Sequence, residues 1–288
     1  MADAVTGGDG NVAQKEFWSS DFGQKWVTHQ QQMDTLFRNV TAELLRRCAV
    51  TAGSNVLDIG CGTGETTIAF AQQIGHQGRV TGVDISDTLL TLARRRAAQF
   101  SSVRFLEGDA QNFSFEPESH DIVASRFGVM FFSDPVAAFA NLASALQPSG
   151  RIVFATWAEM RANPWSYLPF SAGTARFGTP APEPAGTPGQ FAFADTAYVT
   201  DILQKAGLSN VSADTFDLTL HCTGDASDAA TLATTLGPVA RMIQAHNGGE
   251  NDLTAIRHVV ADEFTRFETS GAVEVPARIN YFEATRAV

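Results

Sequence analysis

From Asn55 to Trp157 short apolar runs alternate with longer segments whose apolar residues recur every three or four positions. "NVLDIG", "RVTGVDI", "VRFLEGD", "HDIVASRFG" and "RIVFATW" read as buried strands, and "ETTIAFAQQIG", "DTLLTLARRRAAQ" and "DPVAAFANLASALQPSG" as helices. Gly75 closes the first of these helices, Asp87 stands where a short acid caps the second, and Pro135 sits in the first turn of the third. Strands separated by helices need crossovers, and right-handed crossovers give a parallel, doubly wound sheet. The pattern excludes an all-helical or all-strand chain.

Outside this stretch the rhythm changes. The segment from Glu16 to Val50 places Phe17, Trp26, Met33, Leu36, Phe37, Val40, Leu44 and Leu45 at mostly helical spacing, after a Gly-rich, loose start. Ala158 to Phe191 is rich in Pro, Gly and aromatics, which reads as an inserted loop or lid. "DTAYVTDILQKAG" then reads as a helix closed by Gly207, "NVSADTFDLTLHC" as a strand, 225–269 as mostly helical with a break at "HNGGEND", and "ARINYFEATRAV" as a last strand. The division expected is lid helices over 1–45, a core over 46–157, a lid insertion over 158–192, a core helix and strand over 193–222, a helical cap over 223–274 and the last core strand over 275–288. At 288 residues, one domain with additions fits better than two independent ones.

Charge narrows the partners. A formal net charge of -11 opposes phosphate backbones and anionic membranes, and the basic run Arg94-Arg95-Arg96 has no second cluster to join it. No stretch supplies eighteen uninterrupted apolar residues, so neither a membrane span nor export is expected. Cys48, Cys61 and Cys222 are too scattered for a metal pair or a disulfide framework. The expectation is a cytoplasmic protein acting on a small molecule, without metal.

In "VLDIGCGTGETT" the alternating Gly60, Gly62 and Gly64 follow a strand and open a helix, which places bare backbone N–H groups at the carboxyl edge of the sheet. A dinucleotide fingerprint needs a third glycine where this chain has Glu65, and an acid there repels a pyrophosphate. Three further acids decide the matter: Asp58 precedes the turn, Asp84 ends the second strand and Asp109 ends the third. Carboxylates gathered at one edge accept hydrogen bonds from hydroxyls, an exocyclic amine or an ammonium group.

With "VLDIGCGTG", "VTGVDIS", "FLEGDAQNFSF", "DIVASRFGVMFFSDP" and "ALQPSGRIVFATW" in this order, the chain resembles the class I S-adenosylmethionine-dependent methyltransferases, within the small-molecule group that includes quinone-biosynthesis methyltransferases. The resemblance implies a Rossmann-like, doubly wound, mostly parallel seven-stranded sheet with an antiparallel last strand and helical cap elements. It also implies roles: Gly60, Cys61, Gly62 and Gly64 let the backbone approach S-adenosylmethionine, Asp58 organises that end, Asp84 receives the ribose hydroxyls and Ile85 packs on adenine. Asp109 beside Ala110 takes the adenine amine, and Ser125 and Arg126 face the methionine part.

The chain has 21 Phe, and those in cap or loop segments, with Trp26, Trp157, Trp165 and Tyr167, suggest an apolar or aromatic acceptor, for which Trp26, Met130, Phe131 and Trp157 are candidate wall residues. A hydroxyl or acidic carbon acceptor calls for a base, and His29 in the leading helices is the candidate. O- or C-methylation of a small metabolite is the expected reaction. A non-methylating or purely binding protein of the same fold stays open as an alternative, as does a nicotinamide-dependent oxidoreductase.

Overall fold

The computed structural model describes residues 11–182, 184 and 186–287; the Gly-rich start over 1–10, Glu183, Ala185 and Val288 lie outside the described residues. Four short helices lead the chain: α1 (Val12–Ser19), α2 (Asp21–Thr28), α3 (Gln30–Leu36) and α4 (Arg38–Cys48). The alternating core follows as β1 (Asn55–Ile59), α5 (Glu65–Ile74), β2 (Arg79–Asp84), α6 (Asp87–Arg96), β3 (Val103–Glu107), β4 (His120–Arg126), α7 (Pro135–Ala145) and β5 (Leu146–Trp157). After it come α8 (Pro164–Phe177), α9 (Thr196–Lys205), β6 (Leu208–Thr223), α10 (Ala226–Leu236), α11 (Pro238–Ala245), α12 (Glu250–Phe264), β7 (Glu268–Thr269) and β8 (Ala272–Arg286).

The sheet runs β3-β2-β1-β4-β5-β8-β6, with the two-residue β7 paired to β8. β1 to β5 pair in parallel, whereas β8 is antiparallel to both β5 and β6. The reversed strand therefore lies inside the sheet, between two strands that share one direction. In β1 and β2 nearly every residue is buried, as expected for strands covered on both faces. Phe154 of β5 stacks on Phe282 of β8 at 5.0 Å, which ties the reversed strand to the parallel core.

Three details depart from the sequence reading. Ser86, not Asp87, caps α6: its side chain accepts from Leu89 N, and Asp87 in the first turn pairs with Arg94 instead. The Pro-rich stretch predicted as loop contains α8, fourteen residues long, with Pro164 at its start, where the missing N–H costs nothing. Pro169 inside it removes one helical bond, yet Trp165 stacks on Phe264 at 5.7 Å and Gly173 lets Met242 and Val239 approach closely, so packing overrides local preference. The last strand begins at Ala272, five residues earlier than the pattern suggested. Pro276 falls where β8 pairs only with β6, since its pairing with β5 begins at Ile279, so the proline takes a position facing no second ladder.

Candidate cofactor and acceptor site

The strand register brings the carboxyl ends of β1, β2, β3 and β4 to one edge. Beyond that edge, under the leading helices and the cap formed by α8 and α11, lies a cavity of about 860 Å³. The loop leaving β1 is its floor. Gly60, Gly62 and Gly64 all have positive φ, +63°, +54° and +87°, a region in which a side chain is strained. At Gly60 there is also no room, because a Cβ would stand 2.6 Å from Gly128 Cα; at Gly62 it would meet nothing within 4 Å.

Asp84 is 8% exposed and braces this loop: its Oδ2 accepts from Gly62 N at 2.8 Å and its Oδ1 from Ser86 N at 2.9 Å. Burial pushes its carboxyl above the ordinary range while these backbone N–H groups pull it back. Asp58 is fully buried and does not reach the cavity; its Oδ2 accepts from the hydroxyls of Thr66 and Thr67, both at 2.6 Å, tying β1 to the first turn of α5. Its Oδ1 has no partner, and burial pushes the carboxyl up to about 6. Asp109 Oδ1 accepts from Gln111 N and Asn11 Nδ2, and its Oδ2 from Asn11 N. A carboxylate has room for about four donors, so capacity remains.

Ile85, Ala110, Cys61 and Arg126 also line the cavity, together with Trp26, Met130, Phe131 and Trp157. Gly64 and Ser125 do not. Gly64 is instead the N-cap of α5, and Ser125 Oγ donates to Ile59 O at 2.7 Å and accepts from Gly128 N, stitching β4 to the glycine loop. Cys61 is buried, and its thiol is pushed well up by desolvation, which makes it a packing residue rather than a nucleophile. The aromatic wall has two groups: Trp18 meets Trp26 at 5.8 Å and Phe131 at 5.5 Å, while Phe127 stacks on Trp157 at 4.9 Å.

His29 is a correction. It ends α2 and starts α3, half-exposed, with Nδ1 3.2 Å from Gln32 Oε1, and is not among the cavity-lining residues. The histidine that reaches the cavity is His246, at its exposed mouth and stacked on Phe177 at 5.0 Å. Asn11, Gln14 and Asp34 also line the cavity without having been singled out in the sequence. Asn11 stands just before α1, Gln14 lies in α1 and Asp34 in α3, stretches with no motif, and only the tertiary fold carries them to the sheet edge.

The donor set suits S-adenosylmethionine better than a dinucleotide. Bare backbone faces the cavity at Gly60 and Gly62, carboxylates stand ready at Asp84 and Asp109, and Glu65 occupies the helix start where a pyrophosphate would sit, paired with Arg96 at 2.7 Å. Residues 56–150 match the methyltransferase-domain family. The demethylmenaquinone methyltransferase of Staphylococcus saprophyticus is 34% identical over 110 residues, 38% of this chain and 47% of that protein, so the chain spans about half the length of the curated relatives it matches. Among solved structures, the YcgJ protein of Bacillus subtilis superposes with a TM-score of 0.56 at 16% identity, over 87% of this chain and 99% of that one. Phosphoethanolamine N-methyltransferase 2 of Haemonchus contortus, solved with S-adenosylhomocysteine, gives 0.54 at 17% identity, over 87% and 53%. Over residues 56–150 the chain is thus similar to methyltransferase domains, and it shares its fold with a methyltransferase solved with S-adenosylhomocysteine.

Proposed function

We propose that the chain transfers a methyl group from S-adenosylmethionine to a small apolar or aromatic acceptor, at oxygen or carbon. The observation that carries this reading is a single cavity in which the glycine loop and strand-end acids share one space with a wall of tryptophan and phenylalanine rings. The bound cofactor would supply an electrophilic methyl group on a sulfonium. In this reading Asp84 holds ribose hydroxyls, Ile85 packs against adenine, Asp109 beside Ala110 takes the adenine amine, and Gly60 to Gly62 let the loop backbone come close.

What the protein adds is placement and dryness. In-line displacement gains most from holding the reacting atoms in contact and aligned. Loss of charge at sulfur is favoured where water is excluded, and Trp18, Trp26, Phe127, Phe131 and Trp157 provide such surroundings. His29 has no part in this reading. An acceptor whose hydroxyl or carbon is already acidic, such as a phenol or enol, needs little help from a base. The net charge of -11 argues against nucleic acid as acceptor, and among the described residues no helix is long and apolar enough to cross a membrane.

Incubation with methyl-labelled S-adenosylmethionine and a panel of phenols, enols and hydroxylated aromatics tests the proposal. Label appearing in an acceptor is the expected result. Tight cofactor binding with no transfer to any member of the panel would favour a non-methylating or purely binding role for the same fold.

A further inference from the structure

In the reading above the sheet edge takes the cofactor, which leaves the cap side of the cavity to the acceptor. Most of the lining residues that α8 and the stretch between α8 and α9 contribute are apolar or small, Trp165, Phe170 and Phe191 among them. Four have polar side chains: Ser166, Thr179, Thr187 and Gln190. Thr179 is exposed at the surface, and Thr187 Oγ1 donates within its own turn, to Pro184 O at 2.8 Å. Ser166 and Gln190 form the polar pair that remains.

Gln190 is half-buried, and its Nε2 donates to Oγ of Ser166, a fully buried residue of α8, at 2.9 Å. The backbone around it is pinned too. Gly189 N donates to Met130 O at 3.1 Å, and the Phe191 ring meets that of Trp157 at 6.2 Å. Gln190 Oε1 accepts from none of the described residues, yet it is not one of their sealed-off polar atoms that lack a partner. An open carbonyl oxygen therefore stands on an anchored side chain. A glutamine already tied by its nitrogen loses little rotamer freedom when its oxygen binds a ligand. A carbonyl oxygen only accepts, so its match is an O–H or N–H.

In an apolar pocket a few placed polar groups fix the orientation of a ligand and select it. We propose that Gln190 Oε1 accepts a hydrogen bond from a hydroxyl or amino group of the acceptor, separate from the position that is methylated, and that Ser166 positions Gln190 for this. The inference rests on the acceptor reading above and narrows it, from apolar or aromatic molecules at large to rings that carry a second hydrogen-bond donor. Both residues lie outside the matched segment 56–150, so the selection belongs to the cap and not to the cofactor core.

Methyl transfer from labelled S-adenosylmethionine to phenol, the benzenediols and their monomethyl ethers tests the proposal on the full chain. The ethers keep the second oxygen but cannot donate from it. At least one benzenediol is expected to show kcat/KM about tenfold or more above both phenol and its own monomethyl ether. In Gln190→Leu this preference shrinks to less than about threefold, while S-adenosylhomocysteine affinity, read by calorimetry, stays within about twofold of wild type and reports an intact fold. Ser166→Ala reduces the preference chiefly through KM and adds nothing in the Gln190→Leu background, as a residue acting through Gln190 must. A preference that survives Gln190→Leu, an ether as good as its diol, or a matching fall in S-adenosylhomocysteine affinity would overturn the assignment. A chain that binds S-adenosylhomocysteine but labels no phenol would instead overturn the acceptor reading, and this inference with it.

Discussion

Gly60 and Gly62 share a positive φ but differ in what surrounds them, and this separates two effects of a side chain. Gly60→Ala would drive a Cβ to 2.6 Å from the backbone of Gly128 as well as straining φ, so a loss of about 2 kcal/mol or more in unfolding free energy is expected. Gly62→Ala meets no neighbour, so about 1 kcal/mol of backbone strain is expected, with S-adenosylhomocysteine affinity falling about tenfold because the new methyl borders the cavity. Thermal unfolding and calorimetry on the two variants read these effects separately. Asp58 sets a pH dependence. Its carboxyl is raised from 3.8 to about 6, so the folded state holds the proton more tightly than the unfolded chain. Its contribution is neutral below about pH 4 and becomes a cost that grows as pH rises to about 6, reaching roughly 3 kcal/mol. Asp58→Asn, which keeps an oxygen for the two threonine hydroxyls, is expected to flatten the stability profile across that window relative to wild type; an identical slope would contradict the role given to its burial. Glycines and strand-end acids announce themselves in sequence because backbone conformation and strand position dictate them. Asp34 and Asn11 do not, since each reaches the site only when a leading helix docks.

At the level of elements, α1 and α2 form a strap over the part of the cavity lined by Asp84 and Asp109, where the proposed reading puts the nucleoside. Asn11 bonds Asp109 with both its backbone and side-chain nitrogens and accepts from Ser133 N, the Trp18 carbonyl accepts from Ser86 Oγ, and Lys15 pairs with Glu107. Arg241 of α11 lies 4.2 Å over the Phe17 ring, so strap and cap meet across the opening. On this reading a ligand under the strap is released as the strap lifts. Trp18→Ala removes its aromatic contacts with Trp26 and Phe131, and a roughly tenfold faster release of S-adenosylhomocysteine in stopped-flow measurements is the expected outcome. An unchanged release rate would mean that the strap does not gate the cavity. The five core strands and their helices were legible because each has its own period and its own terminators. Helix α8 was not, because Pro164 and Pro169 read locally as breakers, and what holds it helical is Trp165 against Phe264 and Gly173 against α11. The early start of β8 was hidden by Pro276 in the same way.

For the whole molecule the parallel sheet follows from the alternation, but the cavity does not. It arises between parts far apart in the chain: the glycine loop, the leading helices, the stretch after α8 and helix α11 all contribute walls. Sequence patterning specifies each part and is silent on how the cap closes: of the residues expected at the cofactor end, Gly60, Cys61, Gly62, Asp84, Ile85, Asp109, Ala110 and Arg126 line the cavity while Asp58, Gly64 and Ser125 do not, and the acceptor end could be read only as aromatic. The central claim is that this edge of the sheet is built for a sulfonium nucleoside rather than a dinucleotide. Calorimetric titration of the purified chain with S-adenosylhomocysteine and, separately, with NAD tests it most directly. Saturable one-to-one binding of S-adenosylhomocysteine with no heat from NAD is the expected result, and saturable NAD binding without S-adenosylhomocysteine binding would contradict it.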